Sequence, residues 1–365
     1  MPISSIDAIS PAFRHARQQL SQPFRAGQWA RLAFVGLLAG ELSSGGCSGS
    51  NFQIPRSNGG NHFVGTGLPA ADPAFYFGLI ALLAVLGLVM WLLFIYVNSV
   101  MRFVLFDSVV EKECHIRKGW NRRTGAGFRY FLWQLLFSLA MLMGLTILVG
   151  IPAAMAFALG WLKEPGEHVL PLVLGGVILF FLLFAFVICA LVVQVFSKDF
   201  VVPQMALEGI SAIEGWQRLL AMLKHEKGGY AGYLGMKIVM AIAAAIVVGI
   251  VTTIALLLIL IPVGGLGAIA VFGGKAAGLT WNLYTITLAV VIGSVVLALI
   301  LYVFSLISVP AIAFFPAYSI YFFAARYRPL ALALYPAPPA PPEPPPVPSE
   351  PPPAPLLPPE PEPIG

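Results

Sequence analysis

The chain has 365 residues, 59% of them hydrophobic and only 10% charged, with a formal net charge of +5. So few polar side chains cannot cover a water-soluble core of this size, which excludes an ordinary soluble domain and leaves lipid as the solvent for the apolar surface. The charge is uneven: after Arg328 come Glu343, Glu350, Glu360 and Glu362 and no Lys or Arg, so the rest is more basic than the total. Basic loops on such a chain point to orientation and anionic lipid headgroups rather than to nucleic acid.

The N-terminal arm, residues 1–31, carries Arg14, Arg17, Arg25 and Arg31. The apolar stretch after it, Leu32 to Gly40, is too short to span a bilayer by itself, and Glu41 interrupts it. Two readings stay open: a short, strained first span, favoured here, or an interfacial amphipathic helix. Ser-Ser-Gly-Gly-Cys47 faintly suggests a lipoprotein signal, but Ser44 stands where such a site needs an apolar residue, so a Gly/Ser-rich external loop is the preferred reading.

Five long apolar runs follow: Tyr76 to Val97, Phe131 to Leu159, Leu170 to Phe196, Ile238 to Ile261 and Tyr284 to Val309. Each exceeds the roughly 18 residues that cross a bilayer core as a helix. Lys and Arg alternate between the connecting segments. Arg102, Lys112, Arg117, Lys118, Arg122 and Arg123 follow the first run, Lys198, Arg218, Lys224 and Lys227 the third, and Arg326 and Arg328 the last. The intervening loops hold only Arg56, Lys163 and Lys275. The positive-inside rule then places both large loops and, with the favoured first span, both chain ends in the cytoplasm. Cys47, Cys114 and Cys189 fall on different sides or inside the membrane, so no disulfide framework is expected.

The two basic loops resemble each other. Phe103-Val104, Glu111 and Gly119-Trp120-Asn121-Arg122 return as Phe200-Val201, Glu208 and Gly215-Trp216-Gln217-Arg218, 97 residues later for the first two elements and 96 for the third. Span, loop helix and span thus repeat in the same orientation, implying a pseudo-two-fold axis along the membrane normal. Ser211 to Glu214 reads as a capping box. Ile210, Ile213, Trp216, Leu220 and Leu223 form an amphipathic stripe that lies in the headgroup region or packs across the ends of the spans. Arg102, Asp107, Trp120, Arg122, Glu208, Trp216 and Arg218 are therefore the candidates for contact with lipid headgroups or partners. Ala241, Ala245 and Gly249, four residues apart, are the candidate helix-packing face.

No ionisable group lies centrally in the five runs. Arg129 and Lys237 near run ends are expected to snorkel, and Gln134, Gln194, Thr252, Thr253 and Ser294 to bond between helices. The five histidines share no ligand spacing, Asn58-Gly-Gly-Asn61 and Gly65-Thr-Gly67 lack the lysine and hydroxyl of a phosphate loop, and no catalytic, cofactor or metal residue is assigned. Pro310 and Pro316 are expected to kink or end the last span. The tail, residues 329–365, is proline dominated and acidic, and reads as an extended disordered spacer or a proline-rich docking arm for a protein partner.

Ile6-Asp7-Ala8, Pro11-Ala12-Phe13, Pro23-Phe24-Arg25 with Trp29, Arg102-Phe103 with Asp107 and Val109, Pro203 with Glu208-Gly209, and Phe315-Pro316-Ala317-Tyr318 resemble a family of uncharacterised prokaryotic multi-pass membrane proteins. More distantly the chain is similar to the membrane domain attached to some glycerophosphodiester phosphodiesterases, without their catalytic barrel. The resemblance implies a fold and a location, not an activity. The expectation is an all-α polytopic transmembrane helical bundle of about six spans over residues 32–328. The protein is expected to be non-enzymatic and to act through lipids or partner proteins; a permease for an uncharged or lipophilic solute is the alternative.

Overall fold

A computed structural model describes residues 4–22, 24–41, 73–161, 166–276, 278 and 282–335. All of its regular structure is helical. We number the helices α1 Ile9–Ser21, α2 Ala26–Leu38, α3 Pro73–Val110, α4 Ile116–Ala158, α5 Val169–Glu208, α6 Ala212–His225, α7 Lys227–Ala276, α8 Leu283–Ala324 and α9 Arg328–Leu334.

The five apolar runs become α3, α4, α5, α7 and α8, each long and apolar enough to cross a membrane. Their most apolar 18-residue windows are at most 6% buried within the chain. Helices with apolar residues on every side and so few protein neighbours need lipid around them. The other ends of the same helices differ. Residues 95–110, 196–206 and 309–324 join α1, α2, α6 and α9 in a well-packed base. Phe200 from α5 lies 5.1 Å from both Tyr233 of α7 and Phe323 of α8, and Tyr233 stacks on Tyr318 at 5.1 Å.

The N-terminal arm belongs to this base. The last carbonyls of a helix lack intrahelical partners, and α1 supplies them for α3: Gln19 Nε2 donates to the Ser108 carbonyl (2.8 Å) and His15 Nε2 to that of Val109 (2.7 Å). α2 then runs antiparallel to α3, with Gln28 on the Lys112 carbonyl and Asn98 on that of Leu38. Thirteen residues reach about 20 Å, short of the roughly 30 Å core. The helix is held low because Gly36 admits Ile312 of α8 and because Glu41 is drawn inward by Lys198. The favoured first crossing therefore depends on residues 42–72, outside the described residues, as do Cys47 and the two external glycine-rich motifs.

The repeat is visible in three dimensions. A Cβ on Gly119 would lie 3.2 Å from Val104, and one on Gly215 2.9 Å from Val201, so the same glycine seats against the same valine in both halves. Phe103 and Phe200 are both fully buried. Both turns leave their helix through a left-handed residue, Lys112 (φ 59°) and Gly209 (φ 69°), 97 positions apart. Both next helices start 96 apart, at Ile116 and Ala212.

Two π-turns, Thr146–Gly150 and Ser197–Val201, interrupt α4 and α5. Each is followed two residues later by a proline, Pro152 or Pro203, which has no N–H for the carbonyl four residues back and would collide with it. Widening the turn relieves both problems. Pro310 and Pro316, by contrast, lie inside α8, which continues to Ala324 rather than ending.

Several expectations change. Ser211 caps α6 by accepting from the Glu214 N–H (3.2 Å), but the Glu214 carboxylate accepts from Arg218. The inward face of α6 centres on Ala212, Gly215 and Leu219, whose small residues let the base approach; of the expected stripe, Ile210, Trp216 and Leu223 are partly buried against the core, while Ile213 and Leu220 are exposed. Among the described residues nothing lies within 4 Å of a Cβ placed on Gly249, while Ala241 and Ala245 on the same face are partly buried. Thr253 and Ser294 bond their own helix backbone, whereas Gln134 accepts from Ser99 across helices (3.2 Å). Residues 329–334, placed by sequence at the start of a disordered tail, belong to α9, and Leu330 is fully buried. Residues 336–365 lie outside the described residues.

Candidate functional site

The Ser197–Val201 π-turn sends three consecutive side chains to three different partners. Ser197 Oγ accepts from Trp216 Nε1 (3.0 Å), Lys198 pairs with Glu41, and Asp199 pairs with Lys237 while accepting from Tyr233 Oη (2.9 Å). Even in a regular α-turn successive side chains point about 100° apart, enough to send neighbours to different partners. Lys198 and Asp199 thus face opposite walls of the same interior.

Arg102 completes the cluster from α3. It is 8% exposed, and its Nη1 donates to Tyr130 Oη (3.0 Å) with the guanidinium carbon 5.7 Å from that ring. The cluster holds three cations, Arg102, Lys198 and Lys237, against two carboxylates, Glu41 and Asp199. Among the described residues no carboxylate forms a salt bridge to Arg102, and its Nε is buried without a hydrogen-bond partner. A buried charge left uncompensated is expensive, more so when one of its donors is also unsatisfied.

Two recesses meet Arg102. The smaller, about 30 Å³, is bounded by Glu41, Lys198, Asp199 and Pro316. The larger, about 250 Å³, has Arg102, Tyr130, Gln134, Ser138, Gln194 and Ser197 as its polar wall. Its apolar wall is Trp133, Phe137 and Met141. Since Tyr130 holds the guanidinium, Arg102 stands at the wall of the larger one. That wall contains a cation, amides and hydroxyls but no carboxylate, so chemically it favours an anion.

The other candidates from sequence fall in three groups. Asp107 is buried rather than presented to a partner: Arg123 holds it through two bonds (2.8 and 2.7 Å) and Arg122 adds a third contact (2.6 Å). Arg102 is likewise internal. Both residues flank a span, where polar groups usually face headgroups; here Glu41, Lys198 and Asp199 reach Arg102, and Arg122 and Arg123 enclose Asp107. Trp120 and Trp216 are half-buried, Trp120 edge-on to Tyr96 and Trp216 beside Trp133 (6.2 Å). Arg122 and Arg218 remain substantially exposed, each tied within its own repeat unit to a glutamate, Glu111 or Glu208.

Lys237, expected to snorkel, is instead buried on Asp199, and Arg129 donates to the Gly209 carbonyl at the second turn. Glu41, Lys198 and Asp199 carried no functional signal in the sequence, because each sits just beyond a run and looks like an ordinary flanking charge. Cys114 is buried, and burial pushes its thiol up from 9.0, so thiol labelling there reports packing before it reports sidedness.

At the chain's C-terminal side, Arg326 grips Glu226 through two bonds (2.8 and 2.6 Å) while Tyr327 donates to Glu208. Among the described residues no group of three or more His, Cys, Asp or Glu is arranged to hold a metal ion. No curated protein and no solved structure matches this chain. The match that does exist covers residues 3–333: the chain belongs to the family of unknown function DUF7544.

Proposed function

We propose that the protein is a multi-pass integral membrane protein that acts through lipids or protein partners rather than as an enzyme. Its base would lie at the cytoplasmic face of a prokaryotic cell membrane, with both chain ends there. The observation that carries this reading is the division of five apolar helices into lipid-exposed arms and a buried, net-cationic base. The base gathers the basic loops, α1 and α9 together, so the positive-inside rule would orient all of them alike.

A permease for an uncharged or lipophilic solute is the second reading, and the 250 Å³ recess is what favours it. It ranks second because the polar wall of that recess, a buried arginine with amides and hydroxyls, suits an anion better than an uncharged solute.

Native mass spectrometry of the protein in membrane patches tests the choice, comparing the full chain with one ending at Tyr335, so that α9 is kept. Lipid retained by both versions supports the lipid reading. A protein lost with the tail supports a docking arm. An uncharged solute held in place of lipid would give precedence to the permease.

A further inference from the structure

Building on the lipid-partner reading above, we propose that the recess beside Arg102 is a binding site for a phosphate-bearing anion, the headgroup of an anionic phospholipid being its membrane source. Three independent observations converge on this recess. Arg102 is nine-tenths buried with Nε unpartnered, so one strong donor is held in a low-dielectric interior with nothing to accept from it. The cluster around it carries one more cation than carboxylates, so an anion of single charge would neutralise it. The polar wall offers further donors: the side-chain amides of Gln134 on α4 and Gln194 on α5 both line the recess.

The shape also selects. At about 250 Å³ the recess falls below the roughly 300–1,000 Å³ of sites that enclose a drug-sized molecule. It fits a headgroup and not a whole lipid. The apolar remainder would leave along Phe137 and Met141 and continue over the exposed side chains of α4 and α5, such as Leu139 and Leu191. A guanidinium is the side chain best matched to phosphate oxygens, through charge-assisted and often paired bonds. A wider recess, about 440 Å³, lies beside Lys224 and Lys227, but those lysines are exposed and no buried polar group is unpartnered there.

The test uses the full chain in detergent, offered phosphatidylglycerol, phosphatidylcholine, diacylglycerol or soluble glycerol phosphate, with binding read by native mass spectrometry and thermal shift. Phosphatidylglycerol is expected to be retained over phosphatidylcholine, and diacylglycerol not at all. Arg102→Gln is expected to weaken retention by about tenfold or more, the loss of a charge-assisted bond pair. Gln194→Leu, which touches none of the ion pairs and so guards against misfolding of the first variant, should weaken it less. Arg117→Gln, at an exposed position away from the recess, should leave it unchanged. Binding of glycerol phosphate without lipid would support the site and make its source a soluble phosphate. Equal retention of phosphatidylglycerol by the wild type, Arg102→Gln and Gln194→Leu would overturn the site while leaving the lipid-partner reading intact. A wild type that keeps neither lipid nor phosphate would sink both.

Discussion

The two repeat units share a turn and spend it differently. In the first, α3 passes through Arg102 as a regular helix, and α4 rises from the turn as a regular helix as far as its π-turn at Thr146. In the second, Pro203 stands where the first unit has Phe106, the helix widens into a π-turn, and the returning helix breaks at Glu226 between α6 and α7. The position of Arg102 is occupied by Asp199 in the second unit, an exchange of sign at equivalent places. A symmetric frame thus carries an asymmetric interior: one unit contributes the cation without a carboxylate, and the other contributes a pair that is already satisfied.

Removing Asp199 is the strongest way to break that contrast. Asp199→Ala strands Lys237 in the interior, and thermal unfolding in detergent should register a loss of about 3–5 kcal/mol. The double variant Asp199→Ala with Lys237→Met should recover much of it, because the uncompensated charge is gone. If the double variant is no better than the single one, the pair is not what holds α5 to α7.

The glycine–valine contacts sharpen the comparison at a smaller scale. Gly215→Ala forces a methyl within 2.9 Å of the stiff Val201 side chain, and the overpacking should cost about 1–3 kcal/mol. Gly119→Ala meets Val104 at 3.2 Å, and the better helix propensity of alanine returns about 0.5–1 kcal/mol, so its net effect should stay near zero. Equal losses in denaturant titrations would mean that the units pack alike. The left-handed turn residues make a further pair. Gly209→Ala should lose about 1 kcal/mol, since a Cβ is disfavoured there. Lys112→Gly should change little, because relief at φ 59° is offset by loss of the Lys112 Nζ bond to Gln18.

The smallest effect expected belongs to pH. His15 is neutral and lies between the Val109 carbonyl and Tyr321 Oη; burial, aided by Lys112, lowers its pKa from 6.5 despite the carbonyl bond. A folded value below the unfolded one means that the unfolded chain binds more protons as pH falls through 6.5, so stability should drop below that pH and not above it. His15→Gln should flatten the profile.

Much of this frame can be read from one sequence, and the reason is periodicity. Apolar runs report spans because no other solvent tolerates them, and Phe-Val with Gly-Trp marks the repeat because those residues make the same contact twice. The interior cluster escapes such reading. Glu41 meets Lys198 across 157 residues, and no local pattern encodes that separation. Arg102 looks superficial because Glu41, Lys198 and Asp199 reach it from distant parts of the chain, and Asp107 because the arginines that enclose it, Arg122 and Arg123, read as ordinary loop charges. The stripe on α6 is right for Ile210, Trp216 and Leu223 and wrong for Ile213 and Leu220, because a helix approached closely centres its inward face on small residues and hydropathy does not score Ala212 or Gly215.

The clamps on the two turns also order the birth of the molecule. The first turn is capped by His15, Gln19 and Gln28, which leave the ribosome before α3 does. The second turn depends on Arg326 and Tyr327, made 100 residues after Glu226 and 119 after Glu208. At about 5–20 residues per second, that is a wait of roughly 5–25 s. For that interval half of the base is locked and the other half is an open seam. The last span to be synthesised is thus the one that closes the molecule.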